Sequence, residues 1–90
     1  MNNQKIVLAE RLKTDYQDLP PETQKKFKKQ LRFLAENPRH PSLQVHRIRG
    51  TEYWEFYIDR AYRCVFRQEG NIYYLLAAGP HKIIDEFSRK

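Results

Sequence analysis

The chain has 90 residues, 40% of them hydrophobic, including six Tyr, five Phe and one Trp. That suits one domain over 1–90 with a single modest core and little spare stability. Seventeen Lys and Arg against 11 Asp and Glu leave a formal charge of +6, the footprint either of a polyanion partner or of a merely soluble basic protein. A lone cysteine, Cys64, rules out an internal disulfide and reads as a small hydrophobe in a strand. No apolar run is long enough for a signal peptide or a membrane span, so a cytoplasmic protein without membrane contact is expected.

The opening "KIVLA" reads as a short strand. Leu8, Leu12, Tyr16 and Leu19 then recur at helical spacing. Pro20 and Pro21 end that helix and suit the first turn of the next. The second helix, residues 21–37, is expected to bury Phe27, Leu31 and Leu34 and to display Lys25, Lys26, Lys28, Lys29 and Arg32. "NPRHP" stops it, and the short link between the helices makes them an antiparallel hairpin.

From Ser42 the period changes to 2, giving strands in "SLQVHRIRG" (42–50), "YWEFYI" (53–58), "YRCVF" (62–66) and "NIYYLLAAG" (71–79). The last is apolar on both faces and is therefore expected inside the sheet. "HKIIDEF" forms a final helical turn through Ile83 and Phe87. The expected class is α+β in the order β-αα-ββββ, with two N-terminal helices packed on one face of a small twisted antiparallel sheet. The other face would be open, and strand alternation predicts that Arg63 projects from it, opposite in facing to Cys64. His46 pairs in facing with Ile48, and Arg47 with Arg49; the pattern leaves open which pair points which way.

His40, His46 and His81 show no zinc-finger or metalloprotease spacing, so no metal site is expected. There is no nucleophile elbow, phosphate-binding loop or dinucleotide fingerprint, and no cofactor is expected. What remains is imidazole plus guanidinium, which suffices to cleave RNA at its own 2′-hydroxyl. A base removes the 2′ proton, donors hold the phosphate as charge builds, and an acid protonates the departing 5′ oxygen. Imidazole can be base or acid near neutral pH, while arginine grips phosphate with a two-pronged fork. The same residues also fit a plainer account, in which His81 ends the last strand and Arg63 makes surface ion pairs.

"LPPETQKKFKKQLRFLAENPRHPSL", followed by "IRG", a tryptophan, "YR-VF" and "AAGPH", resembles the RelE/ParE superfamily of bacterial toxins over nearly the whole chain. The resemblance implies a RelE-like fold and a cognate acidic antitoxin protein as partner. RelE- and YoeB-like members cut messenger RNA in the ribosomal A site; ParE-like members instead poison DNA gyrase. In the YoeB-like pattern a base shortly precedes a basic residue and glycine, and His46 stands there where that branch has glutamate. The basic residue is Arg49, the arginine nine residues after Trp54 is Arg63, and the histidine ending the last strand is His81.

The resemblance thus implies a metal-free, ribosome-dependent endoribonuclease with the ribosome and mRNA as partners. His46 would be general base and His81 general acid, interchangeable in role, with Arg49 and Arg63 on the phosphate. Arg47, Arg60, Arg67 and Lys82 would contact RNA. The alternative is a gyrase-inhibiting toxin or protein-binding module without nuclease activity.

Overall fold

Two adjacent prolines divide the first half of the chain. In the computed structural model, which describes residues 4–88, strand β1 (Lys5–Leu8) leads into helix α1 (Glu10–Asp18), and helix α2 follows at Pro21–Glu36. The expected domain limits, 1 and 90, lie outside the described residues. Leu19 and Pro20 are extended, with ψ of 146° and 150°, because a residue before proline is steered away from helix. Pro21 then opens α2 at a position where no backbone N–H is needed. Across the corner, the Gln24 side chain donates to the Tyr16 carbonyl at 2.9 Å, a second donor beside the Leu19 N–H that ends α1 at 3.1 Å.

Helix α2 buries Thr23, Phe27, Gln30 and Leu34. Leu31, expected inside, is only half-buried, and Gln30 takes the inner place. Its amide can afford this position. Nε2 donates to the carbonyls of Ser42 and Tyr57 at 3.0 and 2.7 Å, and Oε1 accepts from the Ser42 hydroxyl at 3.1 Å, so no polar group is left unpaired.

The second half holds a single 3₁₀ turn (Pro41–Leu43), then β2 (His46–Arg47), β3 (Trp54–Tyr57), β4 (Tyr62–Glu69), β5 (Ile72–Pro80) and helix α3 (Ile83–Ser88). The five strands form one sheet in the order β1-β5-β4-β3-β2. Strands β2, β3, β4 and β5 pair antiparallel with one another in turn, as short connections require, and β5 lies inside the sheet as its apolar pattern implied. Strand β1 instead pairs parallel to β5, from Lys5↔Ile72 to Leu8↔Leu75, which makes the sheet mixed. The strand expected over 42–50 shrinks to two residues. Pro41 opens the 3₁₀ turn, the His40 ring accepts the Ser42 N–H, and Gln44 is left-handed at φ 46°.

Helices α1 and α2 cover one face over Leu12, Phe27, Leu34, Phe56, Cys64, Phe66 and Leu75. Phe56 lies within ring-contact range of both Phe27 and Phe66, at 6.3 and 5.9 Å between centroids. The other face is less open than the sequence implied. Ile48, Val65, Ala77 and Ile83 form a second small core there, flanked by Tyr53, Ile84 and Phe87. Helix α3 therefore folds back over part of that face. An irregularity in the β4–β5 ladder makes this possible: Val65 pairs with Ala77 but Phe66 with Leu75, so Leu76 is an extra residue. The extra residue reverses the alternation, which sends Leu75 to the main core and Ala77 to the second.

The turn between β4 and β5 needs Gly70, whose φ is +59°. No neighbour lies within 4 Å of where a Cβ would stand, so Gly70→Ala should cost only the left-handed backbone penalty, about 1 kcal/mol. A loss of roughly 4–8 °C in melting temperature is expected for a domain of this size. An unchanged melting curve would show that the turn relaxes to another geometry. Among the described residues, no helix is long and apolar enough to cross a membrane.

Candidate active site

The register of the sheet, more than proximity in sequence, assembles the site. His46 on β2 pairs with Glu55 on β3, and Tyr57 on β3 pairs with Arg63 on β4. Directly opposed residues share a face, and residues two apart on a strand do as well. His46, Glu55, Tyr57 and Arg63 consequently occupy one face, the one away from α1 and α2. The His46 ring lies 6.3 Å from that of Tyr57 and is exposed.

Arg63 departs from expectation. It is on the predicted face, but its side chain is folded in and the residue is only 5% exposed. The guanidinium carbon sits 3.5 Å above the Tyr57 ring centroid. Nη1 donates to the carbonyls of Asp59, Arg60 and Tyr62 at 2.8, 3.1 and 3.0 Å. Nε is 3.6 Å from a Glu55 carboxylate oxygen, beyond good hydrogen-bond length, and has no hydrogen-bond partner although buried. The charge is therefore neither exposed nor fully neutralised. It is held inside the protein by an aromatic face, three carbonyls and one offset carboxylate.

Two of the carbonyls, those of Asp59 and Arg60, belong to the β3–β4 turn and the third to Tyr62, which opens β4; the turn has its own anchor. Asp59 Oδ1 accepts the N–H groups of Ala61 and Tyr62, both at 2.9 Å, and Oδ2 accepts the Thr23 hydroxyl at 3.1 Å. The same turn receives His81, whose backbone N–H donates to the Ala61 carbonyl at 2.8 Å. Arg63 thus holds the turn on which His81 rests. His81 itself is exposed, at the end of β5.

The remaining candidates scatter. Arg49 is exposed in the loop after β2, a loop shaped by the Thr51 hydroxyl donating to the Ile48 carbonyl at 2.7 Å. Arg47 faces the other way, its guanidinium 5.3 Å from the Trp54 ring and its Nε donating to the Thr51 carbonyl. Arg60 is exposed at the β3–β4 turn beside Lys26 and Lys29, around a cavity of about 380 Å³. Arg67 lies over Tyr74 and pairs with Glu69 at 2.9 Å. That hydrogen bond raises its pKa further above the ordinary arginine value. Lys82 opens onto a cavity lined by Asp15, Asp18 and Glu86 together with Arg11, which pairs with Asp15 and Glu86 at 3.2 and 2.9 Å. Cys64 is wholly buried, and burial pushes its thiol pKa well up, so it is no nucleophile.

Neither a family profile nor a curated protein sequence matches the chain. Solved structures do. A YoeB/ParE toxin from Agrobacterium tumefaciens superposes with a TM-score of 0.69 at 20% identity, over 86% of this chain and 98% of that one. RelE in the archaeal RelE–RelB complex from Pyrococcus horikoshii gives 0.71 at 16% identity, over 89% and 96%. YafQ from E. coli gives 0.73 at 11% identity, over 90% and 97%. The chain has the RelE/ParE toxin fold.

On this RelE-like frame, sequence reasoning missed Glu55 and Tyr57. Both were visible as the non-core face of "YWEFYI". The overlooked signal was a carboxylate on an inner strand of a basic protein, where a cation has to answer it. Arg63 does so from the neighbouring strand.

Proposed function

We propose that this chain is the toxin of a toxin–antitoxin pair and cleaves ribosome-bound messenger RNA by metal-free acid–base chemistry. The observation that supports it is a buried, incompletely neutralised guanidinium, Arg63, on the sheet face that carries exposed His46 and beneath the turn that holds exposed His81. Strands β2 and β5 are three strand positions apart, and the register sets Ala77 level with His46, so His81 lies four residues further along, which puts the two backbone positions roughly 19 Å apart. A phosphate acted on by both rings has to lie between them, over the Tyr57–Arg63 pair. There the positive charge below favours the extra negative charge of the transition state. His46 takes the 2′ proton, His81 returns a proton to the 5′ oxygen, and exposed Arg49 is free to hold the phosphate directly. Arg63 acts from beneath as an electrostatic and positioning group.

The partner reading rests on the resemblance of the fold to RelE bound to RelB and on the +6 charge. A basic domain of this kind suits an acidic antitoxin that folds on binding, in a cytoplasmic setting where both ribosomes and antitoxin are present. The test is inducible expression with translation and plasmid supercoiling followed in parallel. Translation should stop with cleaved messages while supercoiling is unchanged, and co-expressed antitoxin should restore growth. Loss of supercoiling with translation intact would overturn the nuclease reading and assign a gyrase poison.

A further inference from the structure

A cavity of about 730 Å³ lies apart from the His46 site and is lined by none of the eight candidate residues. It opens where the loop after α2 leaves part of the helix-side sheet face uncovered. Its volume is that of a small-molecule site. Three flat rings line it, His40, Trp54 and the buried Tyr73, and each is held from elsewhere, Tyr73 by Phe66 at 5.4 Å between centroids. His40 stacks parallel on Phe33, with centroids 3.7 Å apart and 8° between planes. Its Nδ1 accepts the Ser42 N–H at 3.2 Å, which places the proton of the neutral ring on Nε2. Trp54, paired with Arg47 and Phe66 across its strand, is half-buried and braced by the Arg47 guanidinium.

Polar groups complete the wall. The side chains of Arg39 and Gln44 make no hydrogen bond or ion pair with other described residues, and Glu36 also lines the space. Arg39 and Glu36 offset each other in charge, so this is no simple anion hole. It combines aromatic faces, amide and carboxylate edges and one cation. That chemistry matches a flat heterocycle with a hydrogen-bonding edge and an anionic tail.

We propose that this cavity binds a purine nucleotide. The base stacks against His40 and Trp54, Gln44 and Glu36 meet its polar edge, and Arg39 meets its phosphate. Unpaired bases are held this way, on aromatic planes with side chains along their edges. The site does not depend on the chain cleaving RNA.

Trp54 is the single tryptophan of the chain, so its emission reports directly on the cavity. The full-length protein is titrated with adenosine, AMP, GMP, an adenosine tetraribonucleotide and ribose 5-phosphate. Saturable quenching by the purine nucleotides, with none from ribose 5-phosphate, is expected. Tighter binding of the tetranucleotide than of AMP marks RNA as the source, and equal binding marks a free nucleotide. His40→Ala should weaken binding about tenfold or more, as loss of one stacking ring does elsewhere. Arg39→Ala, at an exposed position that cannot disturb folding, should weaken AMP without abolishing stacking of adenosine. Absence of saturable quenching, equal quenching by ribose 5-phosphate, or unchanged affinity in both variants overturns the proposal.

Discussion

Arg63→Ala is expected to destabilise the fold severely. Removing one partner of a buried charge pair costs about 3–5 kcal/mol, because the other is left buried and alone. Here Glu55 would lose its cation, three carbonyls would lose their donor, and the Tyr57 face would lose its contact. Against a total stability of roughly 5–15 kcal/mol for a domain, that is a large share. The melting temperature should fall by more than about 12 °C. Arg63→Lys should fall between, since an ammonium keeps the charge but loses the planar fork and the ring stacking. Glu55→Gln added to Arg63→Ala should recover part of the loss, because the orphaned carboxylate is then gone. Thermal melts of the four proteins settle the matter. A melt of Arg63→Ala within a degree or two of wild type would mean that the guanidinium holds nothing.

The opposite pattern is expected at His46. The ring is exposed, and its one aromatic neighbour, Tyr57, is 6.3 Å away, so His46→Ala should change stability by no more than about 0.5 kcal/mol. Cleavage of messenger RNA on programmed ribosomes should nevertheless drop by about 10²–10⁴-fold, the usual contribution of a positioned general base. Single-turnover rates beside melting curves separate the two effects. A folded His46→Ala protein that cleaves at the wild-type rate would remove His46 from the chemistry, and the base would have to be sought at Glu55. Because Arg63 fails by unfolding and His46 by losing rate, the two variants separate the frame of the site from its reactive groups.

Much of the frame was legible in the chain. The proline pair, the helical recurrence of Leu12 and Tyr16 in one helix and of Phe27 and Leu34 in the next, and the strand alternation around Trp54, Cys64 and Tyr73 report short-range steric rules, which act between residues close in sequence. The interior position of β5 followed from its being apolar on both faces. Less legible was the segment 42–50, where alternation promised a long strand. There the His40 ring, Pro41 and a left-handed Gln44 favour a 3₁₀ turn instead, and local side-chain bonds of that kind leave no periodic trace.

The amino-acid order determined the element types, the face on which Arg63 would lie and the basic character of the domain. Only the tertiary structure decided that β1 adds in parallel beside β5, that one extra residue at Leu76 turns Ala77 toward a second core, and that α3 covers it. It also decided the fate of Arg63. Alternation assigns a side chain to a face, but whether that face meets water depends on what packs over it from distant parts of the chain. Glu55 and Tyr57 come from one strand and the turn carbonyls from the next corner, and only their convergence makes a buried guanidinium stable.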